Sequence, residues 1–132
     1  MDIQSVFQAA RAVQKNAYAP YSNFSVGAAL LGESGQIFTG CNVENISYPL
    51  GLCAERSAVA SMIAAGERKI KAIAVCVPEG IIDGSPCGGC RQVLWEFCTV
   101  ETLVYVIQPM GDNYHLWTLG DLLPFAFKSL TS

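Results

Sequence analysis

The stretch GLCAERSAVASM, residues 51–62, opens with Cys53, Glu55 and Arg56 and then settles into an ordinary apolar helical pattern. That pattern runs from Cys53 to about Ala65, where Gly66 stops it. A second helix start, SPCGGCRQVLWEF at residues 85–97, carries two more cysteines. Whether these two starts meet at one metal ion decides both the fold and the function.

Between them lies IKAIAVCV, residues 70–77, a nearly all-apolar run with several β-branched residues. A central strand covered on both faces reads this way. Upstream, FSVGAALL (24–31), the turn GESGQ (32–36) and IFTGCNV (37–43) read as a hairpin. Ahead of it, Ile3, Val6, Phe7, Ala10, Val13 and Ala17 share one helical face, with Asp2 as the cap and Pro20 as the limit. ENISYPLG (44–51) and PEGIIDGSP (78–86) read as loops. The second cysteine helix spans about Gly88 to Phe97, followed by the strand TLVYVI (102–107) and the loop QPMGDNYH (108–115). Thr118 caps a last short turn through LGDLLP. The order helix, two strands, helix, strand, helix, strand predicts an α/β protein, one mixed sheet with helices on its faces. No linker or repeat interrupts the 132 residues, so a single domain over residues 1–132 is expected.

The composition is 52% hydrophobic and 14% charged, more apolar surface than so small a chain needs for itself, which points to burial between subunits. Net charge is −3, and the eight Lys and Arg form no stripe. A chain that held a polynucleotide would cluster cations on one face; a small, weakly charged or neutral substrate fits better. The opening residues are amphipathic, unlike a signal peptide, and no long uninterrupted apolar span occurs. A cytoplasmic protein with no membrane or nucleic-acid partner is expected.

Of the six cysteines, Cys41 and Cys76 sit in apolar strand-like runs and Cys98 at a helix end, so all three read as free buried thiols. That leaves Cys53, Cys87 and Cys90. Cys87 and Cys90 are three apart, one helical turn, and so share a side. Alone, such a pair could equally be a redox couple or half of a structural zinc site. Cys53 and Glu55 are two apart, so both can face one site only if Cys53 sits at or just before the first turn. If both helix starts aim at the metal, their unpaired amides and positive dipole ends stabilise the thiolates. Three thiolates on Zn²⁺ still leave a net charge of about −1. Arg56 and Arg91, each close in sequence to a ligand, can offset it, and Arg56 is preferred. Arg56→Gln is expected to weaken activity near neutral pH while zinc stays bound; an unchanged pH–rate profile would remove that role. Three protein ligands with one open position is the catalytic arrangement, whereas structural sites close with four. Glu55 is then no ligand but a carboxylate beside the open position, able to take a proton and pass it on.

Together, FSVGAALL, TGCNVENISY, CAERSA and SPCGGCRQVLWEF resemble the small zinc-dependent cytidine deaminases, from about Tyr18 to Phe127. The general pattern of the zinc nucleobase deaminases, a Cys₃ metal site with a glutamate that is not a ligand, fits Cys53-Ala54-Glu55 and Cys87-Gly88-Gly89-Cys90. The resemblance implies a three-layer α/β/α fold around a mixed sheet of about five strands. It implies one Zn²⁺ per subunit on Cys53, Cys87 and Cys90, with Glu55 moving protons. Asn42 and Glu44 would bind the ribose, Phe24 would stack on the pyrimidine, and the Ala54 backbone, with that of Ser85, would read the base. The family's homotetramers bring a C-terminal phenylalanine into a neighbouring site; Phe127 is the aligned residue and Phe125 a competitor. The implied reaction converts cytidine and 2′-deoxycytidine to the uridine counterparts with release of ammonia.

Plainer readings stand beside these. Phe24 alone reads as core, Asn42 and Glu44 as turn residues, and His115 as a solvated loop residue. A deaminase of a cytosine-containing antibiotic such as blasticidin S would share the zinc motifs, although NVENISY favours a plain ribose. A non-catalytic zinc module would need a fourth ligand from Cys41, Cys76, Cys98 or His115. A thiol redox protein would form a Cys87–Cys90 disulfide and bind no metal.

Overall fold

Gly27 to Gly32 is buried at every position, because this strand packs helices against both of its faces. The computed structural model describes residues 2–81 and 83–128. In chain order they form α1 (Ile3–Gln14), β1 (Gly27–Gly32), β2 (Ile37–Cys41), a 3₁₀ turn (Tyr48–Leu50), α2 (Ala54–Ala64), β3 (Ile70–Cys76), α3 (Gly88–Trp95), β4 (Leu103–Ile107), β5 (Tyr114–Thr118) and α4 (Leu119–Leu122). The strands make one sheet in the order β2-β1-β3-β4-β5. Only β3 and β4 are parallel; every other neighbouring pair is antiparallel. The expected mixed sheet with helices on both faces is present.

Alternation along the central strands sorts the core into two parts. Ala28 and Leu30 of β1, with Ile73 and Val75 of β3, point toward α2 and α3, where they meet Ala58, Met62 and Leu94. Ala29, Leu31, Ala72, Ala74 and Cys76 point the other way, onto Val6, Phe7 and Ala10 of α1. Asp2 caps α1 as expected, its Oδ1 accepting from Gln4 N at 2.9 Å. Gly66 ends α2 in the left-handed region at φ 93°, where a side chain would be strained.

α2 rests on β2 at Gly40. A Cβ there would lie 2.3 Å from Ala58 N and 2.6 Å from Ala54 O, both backbone atoms that cannot yield without moving the helix. Gly40→Ala is therefore expected to cost about 2–3 kcal/mol of stability by lifting α2 off the sheet. A denaturation midpoint equal to that of the parent would contradict this close approach.

Several boundaries differ from those read in the sequence. α1 ends at Gln14 rather than near Ala17, because Tyr18 turns to pair with the segment after β2, its N donating to Asn42 O at 2.9 Å. The strands of the hairpin are shorter than FSVGAALL and IFTGCNV. Residues 24–26 leave the ladder and are held by the Asn42 side chain, while Val43 forms isolated bridges to Tyr18 and Leu52. α3 stops at Trp95 instead of Phe97. The largest difference is β5. Tyr114 and His115 read as loop in the sequence, yet they open a strand in which His115 lies opposite Val106. Four of the five β5 residues are exposed, so this edge strand lacks the buried-and-exposed alternation that marks a strand in sequence.

Candidate active site

Both cysteine-bearing segments bring their ligands to a helix start. Cys53 is the N-cap of α2 and Cys87 the N-cap of α3, each with extended backbone, and Cys90 follows one turn into α3. This placement answers the spacing problem: with Cys53 outside the first turn, both Cys53 and Glu55 line the same cavity. The sulfurs of Cys53, Cys87 and Cys90 all lie within 4.8 Å of one another. Tetrahedral zinc with Zn–S bonds of about 2.3 Å needs sulfurs roughly 3.8 Å apart, so the trio fits that ion. Among the described residues the cluster gathers no fourth His, Cys, Asp or Glu.

The thiols also show why a cation belongs here. Burial raises Cys53 above the ordinary thiol range, as do the charges of Cys87 and Glu55. Burial likewise raises Cys90, reinforced by the negative charge of Glu55. For Cys87 burial pushes upward too, but the nearby Cys90 N–H and the thiols of Cys90 and Cys53 offset it and leave it below the ordinary value. Of the three, only Cys87 is shifted toward the thiolate by protein groups alone. A divalent cation favours all three.

The two candidate arginines part company. The Arg56 guanidinium lies beside the cysteine cluster, where the Cys90 sulfur and the cysteine charges hold it protonated. Its Nε is buried with no hydrogen-bond partner among the described residues. Arg91 turns away from the sulfurs toward Ser85, Pro86 and Leu122.

The cavity is about 450 Å³, enough for a nucleoside-sized ligand. It is lined by Phe24, Asn42, Glu44, Ala54 and Glu55 together with the three cysteines. Glu55 is only 5% exposed, and burial raises its carboxyl above the usual range, against smaller opposing effects of a backbone N–H and Arg56. Ala54 is the first residue of α2, so its N–H has no partner within the helix and is available to a ligand.

Asn42 and Glu44 already do structural work. Asn42 accepts from Val26 N at 2.8 Å and donates to Phe24 O at 2.8 Å, fixing the segment that carries Phe24. Glu44 accepts from the Ser22 hydroxyl and from the N–H groups of Tyr21 and Ser22. The Ser22 hydroxyl first, and less strongly these N–H groups, hold its carboxyl below the usual range against the opposing effect of burial. Each side chain keeps unused hydrogen-bonding capacity toward the cavity. Ser22 escapes a reading of the sequence, although its place two residues before Phe24, beside the left-handed Asn23 (φ 57°), is a turn signal.

Phe127 lies elsewhere. It is 83% exposed, Phe125 is fully exposed, and neither lines this chain's own cavity. Of the other cysteines, burial pushes Cys76 up to about 11 and Cys98 up to about 12, so both are protonated at neutral pH.

Comparisons with known proteins point to one family. Residues 1–107 match the family model described as the cytidine and deoxycytidylate deaminase zinc-binding region. A cytidine deaminase of Sporosarcina psychrophila is 44% identical over 129 residues, covering 97% of this chain and 93% of the relative. The crystal structure of cytidine deaminase from Burkholderia pseudomallei superposes with a TM-score of 0.86 at 48% identity, over 96% of this chain and 100% of that one. That from Mycobacterium tuberculosis gives 0.82 at 40% identity, over 98% and 99%. With a family model matched over most of its length and a fold shared at these identities, the chain belongs to the cytidine deaminase family.

Proposed function

We propose that the protein is a zinc-dependent hydrolase that deaminates cytidine and 2′-deoxycytidine, with residues 1–132 acting as one catalytic domain. The observation that carries this reading is the convergence of three cysteine sulfurs from two helix starts beside a buried glutamate in a nucleoside-sized cavity. Cys53, Cys87 and Cys90 would hold one Zn²⁺ per subunit. Zinc held there would supply the Lewis acidity that makes water a competent nucleophile near neutral pH.

The chain's own residues do the rest. Glu55 takes the proton that water gives up and delivers it to ring N3, which makes C4 electrophilic. The water oxygen joins C4 as a hydroxyl; the same carboxylate then takes that hydroxyl's remaining proton and passes it to the amine, so that the C4–N bond breaks and leaves a C4 carbonyl and ammonia. Its raised pKa suits a group that must hold a proton as well as release one. Phe24 offers a face for the pyrimidine, the Ala54 N–H a donor for the base, and Asn42 and Glu44 contacts for the ribose. Arg56 offsets the negative charge of the thiolates from its place beside Cys90.

A homotetramer fits the exposed apolar side chains near the cavity mouth and on the C-terminal segment. Ile46, Tyr48, Leu50, Phe125 and Phe127 are each at least 71% exposed. In such an assembly Phe127 would complete a neighbour's site. Zinc analysis paired with loss of the cytidine absorbance band in one preparation tests the function. Stoichiometric zinc with turnover supports it; zinc-free protein or no turnover overturns it. The same assay on 2′-deoxycytidine and on blasticidin S sets the substrate range.

A further inference from the structure

α3 carries two of the three cysteines, and its next two residues reach to places that the deaminase chemistry leaves unexplained. Arg91 Nε donates to Pro86 O at 2.6 Å, Nη2 to Ser85 Oγ at 2.9 Å and Nη1 to Leu122 O at 2.7 Å. Pro86 directly precedes Cys87, Ser85 lines the cavity, and Leu122 ends α4. Gln92 Nε2 donates to Phe127 O at 2.7 Å, and Phe127 N donates back to Gln92 Oε1 at 3.3 Å. One forked cation and one side-chain amide thus grip both ends of the 122–127 segment. Between the grips the chain bends sharply, with Phe125 in the left-handed region at φ 58°.

We propose that Arg91 and Gln92 are positioning residues that lash the C-terminal aromatic segment to the cysteine-bearing helix, so that the loop before Cys87 and the placement of Phe127 are set together. The aromatic ring offered to a neighbouring copy is then held by the same helix that orders this chain's own metal ligands. This rests on the deaminase reading and on Phe127 completing a neighbour's cavity. The amide pair holds Phe127 through backbone atoms alone, so its grip does not depend on which ring is carried. The three-way fork of Arg91 needs the planar guanidinium, which a lysine cannot reproduce.

The test uses zinc-loaded protein. Gln92→Ala is expected to raise KM for cytidine about tenfold while kcat and zinc content stay within about twofold, two hydrogen bonds having been lost. On a Phe127→Ala background the same substitution adds no further rise, because the residue it positions is gone. Arg91→Lys raises KM and lowers kcat together, since the segment and the loop before Cys87 both lose their tie. An unchanged KM in Gln92→Ala, or an equal rise on the Phe127→Ala background, overturns the proposal. Hydrogen exchange at the Phe127 amide gives a readout free of catalysis: it quickens in Gln92→Ala if the clamp is real, and an unaltered rate sinks it. Should the parent protein fail to turn over cytidine at all, the deaminase reading falls while the exchange measurement still judges the clamp.

Discussion

Glu55→Gln is expected to lower turnover by at least about 10²–10⁴-fold, the usual worth of a placed proton shuttle, while zinc content stays that of the parent. Glutamine keeps the shape of the side chain and its place in the cavity, but it cannot accept a proton from water or return one to N3 and the leaving amine. Loss of folding does not explain such a result. Burial raises the carboxyl pKa above its unfolded value, so the unfolded chain ionises first as pH rises. Above the ordinary carboxylate range near pH 4.3, the buried carboxylate therefore costs stability rather than adding it. Glutamine, neutral at every pH, carries no such cost. Steady-state kinetics with metal analysis on the same sample checks the prediction; substantial turnover by the variant would remove Glu55 from its role.

Cys90→Ala is expected to abolish both activity and firm metal retention. Cys90 is completely buried and sits one turn from Cys87 on α3, so alanine leaves two thiolates and no nearby replacement among the described residues. Losing a direct ligand should weaken zinc by more than the roughly 10–100-fold that follows loss of an outer hydrogen-bond partner. Dialysis against a mild chelator followed by metal analysis measures this, with far-ultraviolet circular dichroism to confirm that the helices persist. Retention of stoichiometric zinc by the alanine variant would mean that the metal is held elsewhere.

The meeting of Cys53 with Cys87 and Cys90 was legible from sequence because coordination chemistry restricts both residue type and spacing. The buried, apolar character of β1 and β3 was legible for a related reason: strands covered on both faces leave no room for polar side chains. β5 was not, since an edge strand facing solvent has no single buried face to print a period on its residues. Arg56 was preferred to Arg91 from sequence, but the different surroundings of the two needed coordinates. Both lie near ligands in sequence, and only the packing of α2 against α3 turns one toward sulfur and the other toward carbonyls. The grips of Arg91 and Gln92 were invisible for a deeper reason. Most of their partners are main-chain atoms of Pro86, Leu122 and Phe127, and backbone acceptors look alike in any sequence.

The two sides of the sheet are not equally well fastened. Toward α2 and α3 the core holds Leu30, Met62, Ile73 and Leu94 in the larger of the two clusters, whereas the smaller one under α1 sets Ala10, Ala29, Ala72 and Ala74 among Val6, Phe7, Leu31, Cys76 and Ile107. Small side chains remove less apolar area from water, so peeling α1 away is the cheaper partial opening of this molecule. That opening would reach the far side of the sheet through Gln14, whose side chain donates to Ser25 O at 3.1 Å, one residue from Phe24, the ring proposed to stack on the pyrimidine. Thermal fraying of the N-terminal helix would thus erode substrate affinity well before the metal centre itself comes apart.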